Sequence, residues 1–333
     1  MDSQEYALAL SAIKEIIQKN DAFILLEHQK PDGDCIGSGL ALVQALRFLG
    51  KQALLVSHDP HPVMYDFLPG LPFYTRADCL DSEDYSPQVA IFLDCTDPER
   101  SGHALEFAIG LPWINVDHHV SNSMFGDVNL VDPGAAATGQ LVYDIVGHLG
   151  VPVDVDIATC IYVALVTDTG GFRYQNTTPE AMALGATLLK KGVKGSEIAD
   201  LVFETRTVSS VLLLASALNT LKMYCGGKVA AVTVTRDMLQ AAGASAEETE
   251  GIIGYPRSIT GVEVSVFFKE AEEDGKVHVS FRSRKVVDVA QLAKSFGGGG
   301  HPRAAGAFME GSISEVTAKV LAEIDGLGLW TDS

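Results

Sequence analysis

His28, Asp32 and Asp34 stand in the segment His-Gln-Lys-Pro-Asp-Gly-Asp, directly after the apolar run Ala22–Leu26. A neutral imidazole nitrogen beside hard carboxylate oxygens suits Mn²⁺ or a similar divalent ion. More such groups follow. Asp94 closes Val-Ala-Ile-Phe-Leu-Asp, Asp117-His118-His119 closes Trp-Ile-Asn-Val, and Asp168 lies in Thr-Asp-Thr-Gly-Gly-Phe-Arg-Tyr, where a helical pattern runs into glycines. One Asp at a strand end is ordinarily a helix N-cap. Their joint occurrence reads instead as a two-metal hydrolytic centre, in which ions about 3.5–4 Å apart activate water and neutralise an in-line phosphoryl transition state.

For these side chains to meet, they must leave the carboxyl edge of one parallel sheet, where α/β proteins build their sites. The first half of the chain has that rhythm. Strand-like runs at Ala22 to Glu27, Gln52 to Ser57, Val89 to Asp94 and Trp113 to Val116 alternate with helix-like segments, one from about Ile36, which predicts a parallel sheet with helices on both faces. From Thr138 the pattern turns helical, with candidates at Gly139 to Leu149, Val155 to Val166, Pro179 to Lys191, Ser196 to Phe203 and Val208 to Met223. A β-rich pattern then begins at Lys228 to Thr235. It continues through Val262 to Lys269 and Lys276 to Arg284, the last two joined by the turn Glu272-Glu273-Asp274-Gly275, and closes on an amphipathic helix near Ile313 to Ile324. The expected architecture is α/β: a parallel-sheet catalytic domain over 1–190, a helical linker over 191–223, and a smaller α+β domain over 224–333.

Charge restricts the partners. With 24 basic and 43 acidic side chains the 333-residue chain carries a formal −19, which opposes binding to long duplex nucleic acid through its phosphates. A short polyanion must be held locally, by metals and a few arginines. The five cysteines, Cys35, Cys79, Cys95, Cys160 and Cys225, are odd in number and form no C-x-x-C pair, so a reducing cytoplasm is expected. Cys35 and Cys95 read as small buried residues. The acidic, helix-patterned N-terminus is unlike a signal peptide, and no apolar run approaches the roughly 20 residues of a membrane span.

The metal motifs, in this order, resemble the DHH phosphoesterase superfamily, named for the triplet present here as Asp117-His118-His119. A further segment, Gly298-Gly299-Gly300-His301-Pro302-Arg303-Ala304-Ala305-Gly306, resembles the signature of the DHH-associated nucleic-acid-binding domain. The two-domain layout is most similar to the NrnA-type oligoribonucleases, which also dephosphorylate 3′-phosphoadenosine 5′-phosphate (pAp). The resemblance implies one metal on His28, Asp32 and Asp94 and a second on Asp34, Asp94, His118 and Asp168, with Asp94 bridging. It implies that Asp117 orients a histidine and that His119 contacts the scissile phosphate or supports proton transfer.

Arg282, Ser283 and Arg284 resemble the family's substrate-facing arginine segment, and with Gly298, Gly299, Gly300, His301 and Arg303 they are expected to face the metals across a cleft. Arg173 is a further candidate phosphate contact. Phe172 and Tyr174 are candidates for stacking a base, although core packing is the expected role of at least one. His58, His61, His103, His148 and His278 have no ligand spacing and read as structural or exposed.

The implied function is a phosphohydrolase of very short RNA and pAp that uses two divalent ions, Mn²⁺ foremost, with a homodimer left open. Two alternatives share these residues: a phosphodiesterase for cyclic di-AMP or pApA, and an inactive nucleotide-binding regulatory protein. A RecJ-like processive exonuclease fits the acidic chain less well, and a family II pyrophosphatase fits the Gly-Gly-Gly-His segment less well.

Overall fold

The computed structural model describes residues 2–81, 85–271, 273 and 275–328. It divides into two compact units, Met1–Thr205 and Arg206–Ser333.

In the first unit the strands are β1 (Ala22–Leu26), β2 (Gln52–Ser57), β3 (Tyr74–Arg76), β4 (Val89–Leu93), β5 (Trp113–Asp117) and β6 (Val128–Val131). The helices are α1 (Ser3–Lys19), α2 (Gly33–Phe48), α3 (Thr138–Leu149), α4 (Val155–Asp168), α5 (Pro179–Lys190) and α6 (Gly195–Ala199). All pairings are parallel, in the order β3-β2-β1-β4-β5-β6.

The continuous apolar runs of β1 and β4 follow from burial on both faces. Phe23, Leu25, Ile91 and Leu93 join one core with the helices, while Ile24, Leu26, Ala90 and Phe92 join another. That second core is covered by Ala104 and Ala108 of a 3₁₀ stretch, Pro98–Ala108. Gly102, at φ 56°, breaks the stretch before a regular helix can form. No single helix among the described residues is long and apolar enough to cross a membrane.

The second unit contains α7 (Val208–Leu218), β7 (Lys222–Tyr224), β8 (Val229–Val234), α8 (Arg236–Ala242), α9 (Gly254–Ser258), β9 (Val264–Glu270), β10 (Lys276–Ser283), α10 (Val289–Lys294), β11 (Gly299–His301), β12 (Ala304–Glu310) and α11 (Ile313–Gly326). Its sheet runs β11-β12-β10-β9-β8-β7, with β8 and β9 parallel and the other neighbours antiparallel. One face packs Val279, Phe281 and Ala305 against Val289 of α10 and Val316, Val320 and Ile324 of α11. On the other, Val232, Val234 and Phe267 meet Leu213 and Ala217 of α7.

The unit boundary falls inside the stretch expected as a linker. Its helices are shared out: α6 and the π-helical turn Asp200–Glu204 lie in the first unit, and α7 packs in the second. The helix expected to run to Met223 stops at Leu218, because Lys222–Tyr224 pairs along β8 instead. In the expected turn at 272–275, Glu272 and Asp274 lie outside the described residues.

Candidate functional site

Strand order decides where the site forms. β1 lies between β2 and β4, so the chain leaves β1 in one direction for β2 and β3 and in the other for β4, β5 and β6. That reversal opens a crevice at the carboxyl ends of β1 and β4. His28 follows β1, Asp94 follows β4, and Asp117 is the last residue of β5, with His118 and His119 next. Asp94 has φ +58°, a left-handed conformation that Asp tolerates better than most residues and that costs roughly 1–2 kcal/mol. Two helix starts and one helix end complete the ring: Asp32 and Asp34 at α2, Thr138 and Gly139 at α3, Asp168 at the end of α4.

The described residues contain three groups whose ligand atoms lie within 4.8 Å of one another: His28 with Cys35 and Asp94; Asp94 with His118 and His119; Asp34 with His118 and Asp168. His118 Nε2 stands 3.6 Å from a carboxylate oxygen of each of Asp34, Asp94 and Asp168. His28 Nε2 and His119 Nδ1 are each 3.5 Å from Asp94. These separations are long for hydrogen bonds, but ligands bonded at about 2.0–2.2 Å to one ion lie roughly 3–3.5 Å apart.

The unused ring nitrogens are held from behind, with His28 Nδ1 against the Gln29 carbonyl at 2.8 Å and His118 Nδ1 against that of Ala135 at 3.3 Å. Backbone anchoring of this kind aims an imidazole at a metal. Asp32 is in none of the three groups. It caps α2, its Oδ1 accepting from the N–H of Asp34 and of Cys35, each at 3.1 Å.

The electrostatics call for a cation. Burial pushes the Asp34 carboxyl well above its ordinary range, and the charges of Asp94, Asp168 and Asp32 push it further. Burial likewise raises Asp168 to about 6, with Asp94 and Asp32 adding to it against the opposing His118. At Asp94 burial is outweighed by the His28 hydrogen bond and the charges of His118 and His119, which hold it below the usual range. Burial disfavours protonation of His28, yet Asp94 and Asp32 raise it to about 9. Divalent ions would relieve this crowding of carboxylates, and the oxygen and imidazole donors present are the right types for them.

Asp117 is fully buried and serves the neighbouring loop. Its Oδ1 accepts from the backbone N–H of His118 at 2.7 Å and from Nδ1 of His119 at 2.7 Å, while Oδ2 accepts from Asn122 Nδ2 at 2.6 Å. A carboxylate only accepts, so the His119 proton sits on Nδ1. Burial lowers the affinity of His119 for a second proton, but Asp117 and Asp94 outweigh it and raise its pKa.

Sequence reasoning missed the residues that hold the ligands. The Thr138 hydroxyl donates to Asp94 Oδ1 at 2.9 Å, and the N–H groups of Thr138 and Gly139 donate to Asp34 at 2.7 and 3.0 Å. Asn176 Nδ2 donates to Asp168 Oδ2 at 2.9 Å and also reaches the Ala136 carbonyl at 3.0 Å. The Thr-Gly pair opening a helix after Ala-Ala-Ala was a usable signal for the first; Asn176 offered none.

Around α4 and α5, Phe172 packs on the core, its ring where a Cβ on Gly185 would sit, and Tyr174 is exposed. Arg173 donates from Nε to the Gly170 carbonyl at 2.5 Å, and its guanidinium lies 5.8 Å from the Phe203 ring centroid.

In the second unit Arg282 is half-buried and Arg284 exposed, the latter donating twice to the Arg257 carbonyl at 3.0 and 2.8 Å. Ser283, expected to face substrate, is buried instead: strand alternation turns it to the core side, where its hydroxyl donates to the Val287 carbonyl at 2.6 Å. Arg303 reaches the same carbonyl at 2.8 Å. Glu263, also missed, accepts from the N–H groups of Lys285, Val286 and Val287 and so shapes the loop after Arg284.

The glycine run is an edge strand and its lead-in rather than a loose loop. Gly299, Gly300 and His301 pair with Gly306, Ala305 and Ala304, and a two-residue turn, Pro302-Arg303, presents His301 and Arg303. A Cβ on Gly298 would fall 2.1 Å from the Gly306 carbonyl oxygen, so close backbone approach demands glycine there.

Residues 22–165 match the DHH family, N-terminal domain, and residues 214–327 match the DHHA1 domain. The chain is 40% identical over 304 residues to the bifunctional oligoribonuclease and PAP phosphatase NrnA of Thermus thermophilus, covering 89% of this chain and 87% of that protein. The chain belongs to the DHH family. A second DHH relative, NrnA of Bacillus subtilis, is 29% identical over 86% of this chain and 89% of its own. Among solved structures, an exopolyphosphatase-related protein from Bacteroides fragilis superposes with a TM-score of 0.90 at 26% identity, covering 96% of this chain and 97% of that one. DHH proteins are metal-dependent, and the acidic and histidine clusters here are of a kind that could bind metal.

Proposed function

We propose that this chain is a two-metal phosphohydrolase, using Mn²⁺, that degrades RNAs of about two to five nucleotides to mononucleotides and removes a phosphate from pAp. The observation that carries the reading is the convergence of Asp34, Asp94 and Asp168 on His118 Nε2, at 3.6 Å each, in a chain 40% identical to an NrnA. His28, Asp32 and Asp94 would hold one ion and Asp34, Asp94, His118 and Asp168 the other. Ions bound there lower the pKa of water and neutralise charge on the phosphoryl oxygens.

The chain's own groups do the positioning. Thr138 and the start of α3 orient Asp94 and Asp34; Asp117 sets the His119 tautomer. With Nδ1 engaged by Asp117, Nε2 is the His119 ring nitrogen left to meet a phosphoryl oxygen. Arg282, Arg284, His301, Arg303 and the Gly298–300 backbone would bind the nonreacting phosphate or base, with Arg173 a further contact. The −19 charge favours short substrates, because each nucleotide beyond the local cations meets an acidic surface. A reducing cytoplasm suits the free thiols of the five cysteines.

The test is a Mn²⁺-supplemented panel of dinucleotide and pentanucleotide RNA, pAp, pApA, cyclic di-AMP and pyrophosphate. Short RNAs and pAp should turn over fastest, and Asp94→Ala should lose at least about a thousandfold while staying folded. Preference for cyclic di-AMP would establish the cyclic-dinucleotide alternative, and silence on every substrate a binding protein. Undiminished hydrolysis by Asp94→Ala would end the two-metal reading.

A further inference from the structure

His28 and Asp94 have two candidates for a third donor, and the two differ in kind. Asp32 brings a carboxylate, but it belongs to none of the three ligand clusters, and its Oδ1 is committed to capping α2. Cys35 brings a sulfur. It lies one residue beyond Asp34 in the first turn of α2, and its Sγ clusters with a ligand atom of His28 and one of Asp94, each within 4.8 Å of the other two.

The other buried thiols are engaged elsewhere. Cys95 Sγ lies 3.8 Å from Ser101 Oγ, and Cys160 Sγ donates to the Pro69 carbonyl at 3.3 Å. Cys35 is fully buried and has no hydrogen-bond partner among the described residues. Burial keeps its thiol protonated in the metal-free protein, and of the charges that add to this the Glu27 carboxylate weighs most, ahead of Asp94 and Asp32. Glu27 is itself fully buried, with neither carboxylate oxygen paired. A buried carboxylate without a partner is costly, and a cation close by relieves it.

We propose that Cys35 is a ligand for soft ions: with His28 and Asp94 it gives the centre a second coordination mode, which takes Zn²⁺ or another thiophilic divalent ion where Asp32 would serve Mn²⁺. Three protein donors and one open position form a common zinc arrangement. Donors around a tetrahedral ion with one sulfur lie roughly 3.3–3.7 Å apart. His28 Nε2 and Asp94 already stand at 3.5 Å, so the sulfur is the atom that has to draw in. On binding, the thiol proton leaves to solvent and a sulfur–metal bond forms, with no change of oxidation state. Zn²⁺ gains from a thiolate donor, whereas Mn²⁺, a hard ion low in the affinity order, gains little. Cys35 therefore sets how strongly a soft ion competes with Mn²⁺ for this centre. The assignment rests on the two-metal reading above.

The experiment uses the full chain, with Cd²⁺ as the probe because a thiolate bound to it absorbs in the ultraviolet. Metal-free protein titrated with Cd²⁺ should develop a thiolate-to-metal charge-transfer band. The band should be retained when Cys79 and Cys225, the two thiols that are not buried, are both changed to serine, and lost in Cys35→Ala. By calorimetry, Cys35→Ala should weaken Cd²⁺ and Zn²⁺ by at least about tenfold and leave Mn²⁺ within about twofold. Cys35→Ser, which keeps the side-chain size but offers a poor donor, should match Cys35→Ala in both readouts, and thermal unfolding in EDTA checks that each variant folds. A band that survives in both Cys35 variants, or one that disappears with Cys79 and Cys225, would overturn the assignment, as would equal losses of Mn²⁺ and Cd²⁺ affinity. A wild type that binds no Mn²⁺ would refute the two-metal reading, and the Cd²⁺ band alone would then decide the role of Cys35.

Discussion

Removing the Thr138 hydroxyl should weaken the apo fold and the metal site together. That hydroxyl donates to Asp94 Oδ1 at 2.9 Å, while the imidazole nitrogens around the same carboxylate stand at 3.5–3.6 Å. Thr138→Val keeps the side-chain shape and leaves the backbone N–H on Asp34 in place, so only one bond is lost. Asp94 is 2% exposed and its pKa is held low, so an ionised, buried oxygen loses its short donor and water cannot substitute. A hydrogen bond to a charged group contributes about 1.5–3 kcal/mol. For a unit the size of Met1–Thr205 that is a fall in Tm of about 4–10 °C, measured by thermal unfolding in EDTA. Loss of a group that orients a ligand also lowers metal affinity by roughly 10–100-fold, read by calorimetric titration with Mn²⁺. A variant whose Tm stays within about 1 °C of the wild type and whose Mn²⁺ affinity is unaltered would refute the placement of Thr138 as a support for Asp94.

Metal binding should be pH-dependent in a stated direction. His28, raised to about 9, and Asp168, raised to about 6, hold protons in the metal-free protein that an ion must displace, so Mn²⁺ affinity should climb between those values and fall below them. Titrations in buffers of different ionisation enthalpy would show the released protons, and a flat profile would count against these ligands. In the second unit, burial of Glu263 is outweighed by three backbone N–H donors, which depress its pKa. Its contribution to stability is therefore present above the ordinary carboxylate range and lost as pH falls through the lower folded value. Glu263→Gln should lower Tm by a few degrees at neutral pH, with the gap closing in acid; a gap that persists in acid would show that charge is not involved.

Motif order and apolar runs carried a large part of this protein into view before any tertiary contact was known. His28, Asp34, Asp94, His118 and Asp168 are legible because each sits at or just beyond an end of a strand or helix whose apolar pattern is local, and local patterns survive in one dimension. The central strands β1, β2, β4 and β5 are legible for the same reason: buried on one or both faces, they must be apolar. The edge strands β3 and β6 were missed, being short and half-exposed, and so was β11, because its glycines carry no side-chain pattern at all.

Tertiary structure alone decided the rest. Thr138 supports Asp94 across 44 positions of chain, and Thr138 and Gly139 cap a carboxylate more than a hundred positions earlier. Ser283 faces inward while Arg282 and Arg284 do not, and exposed Phe308 stands beside the His278 ring. None of these has a local signature, because a hydrogen bond or a ring contact between distant segments depends on strand order and register. Those are set by the packing of the whole unit, and the residues they bring together need share no pattern in the chain.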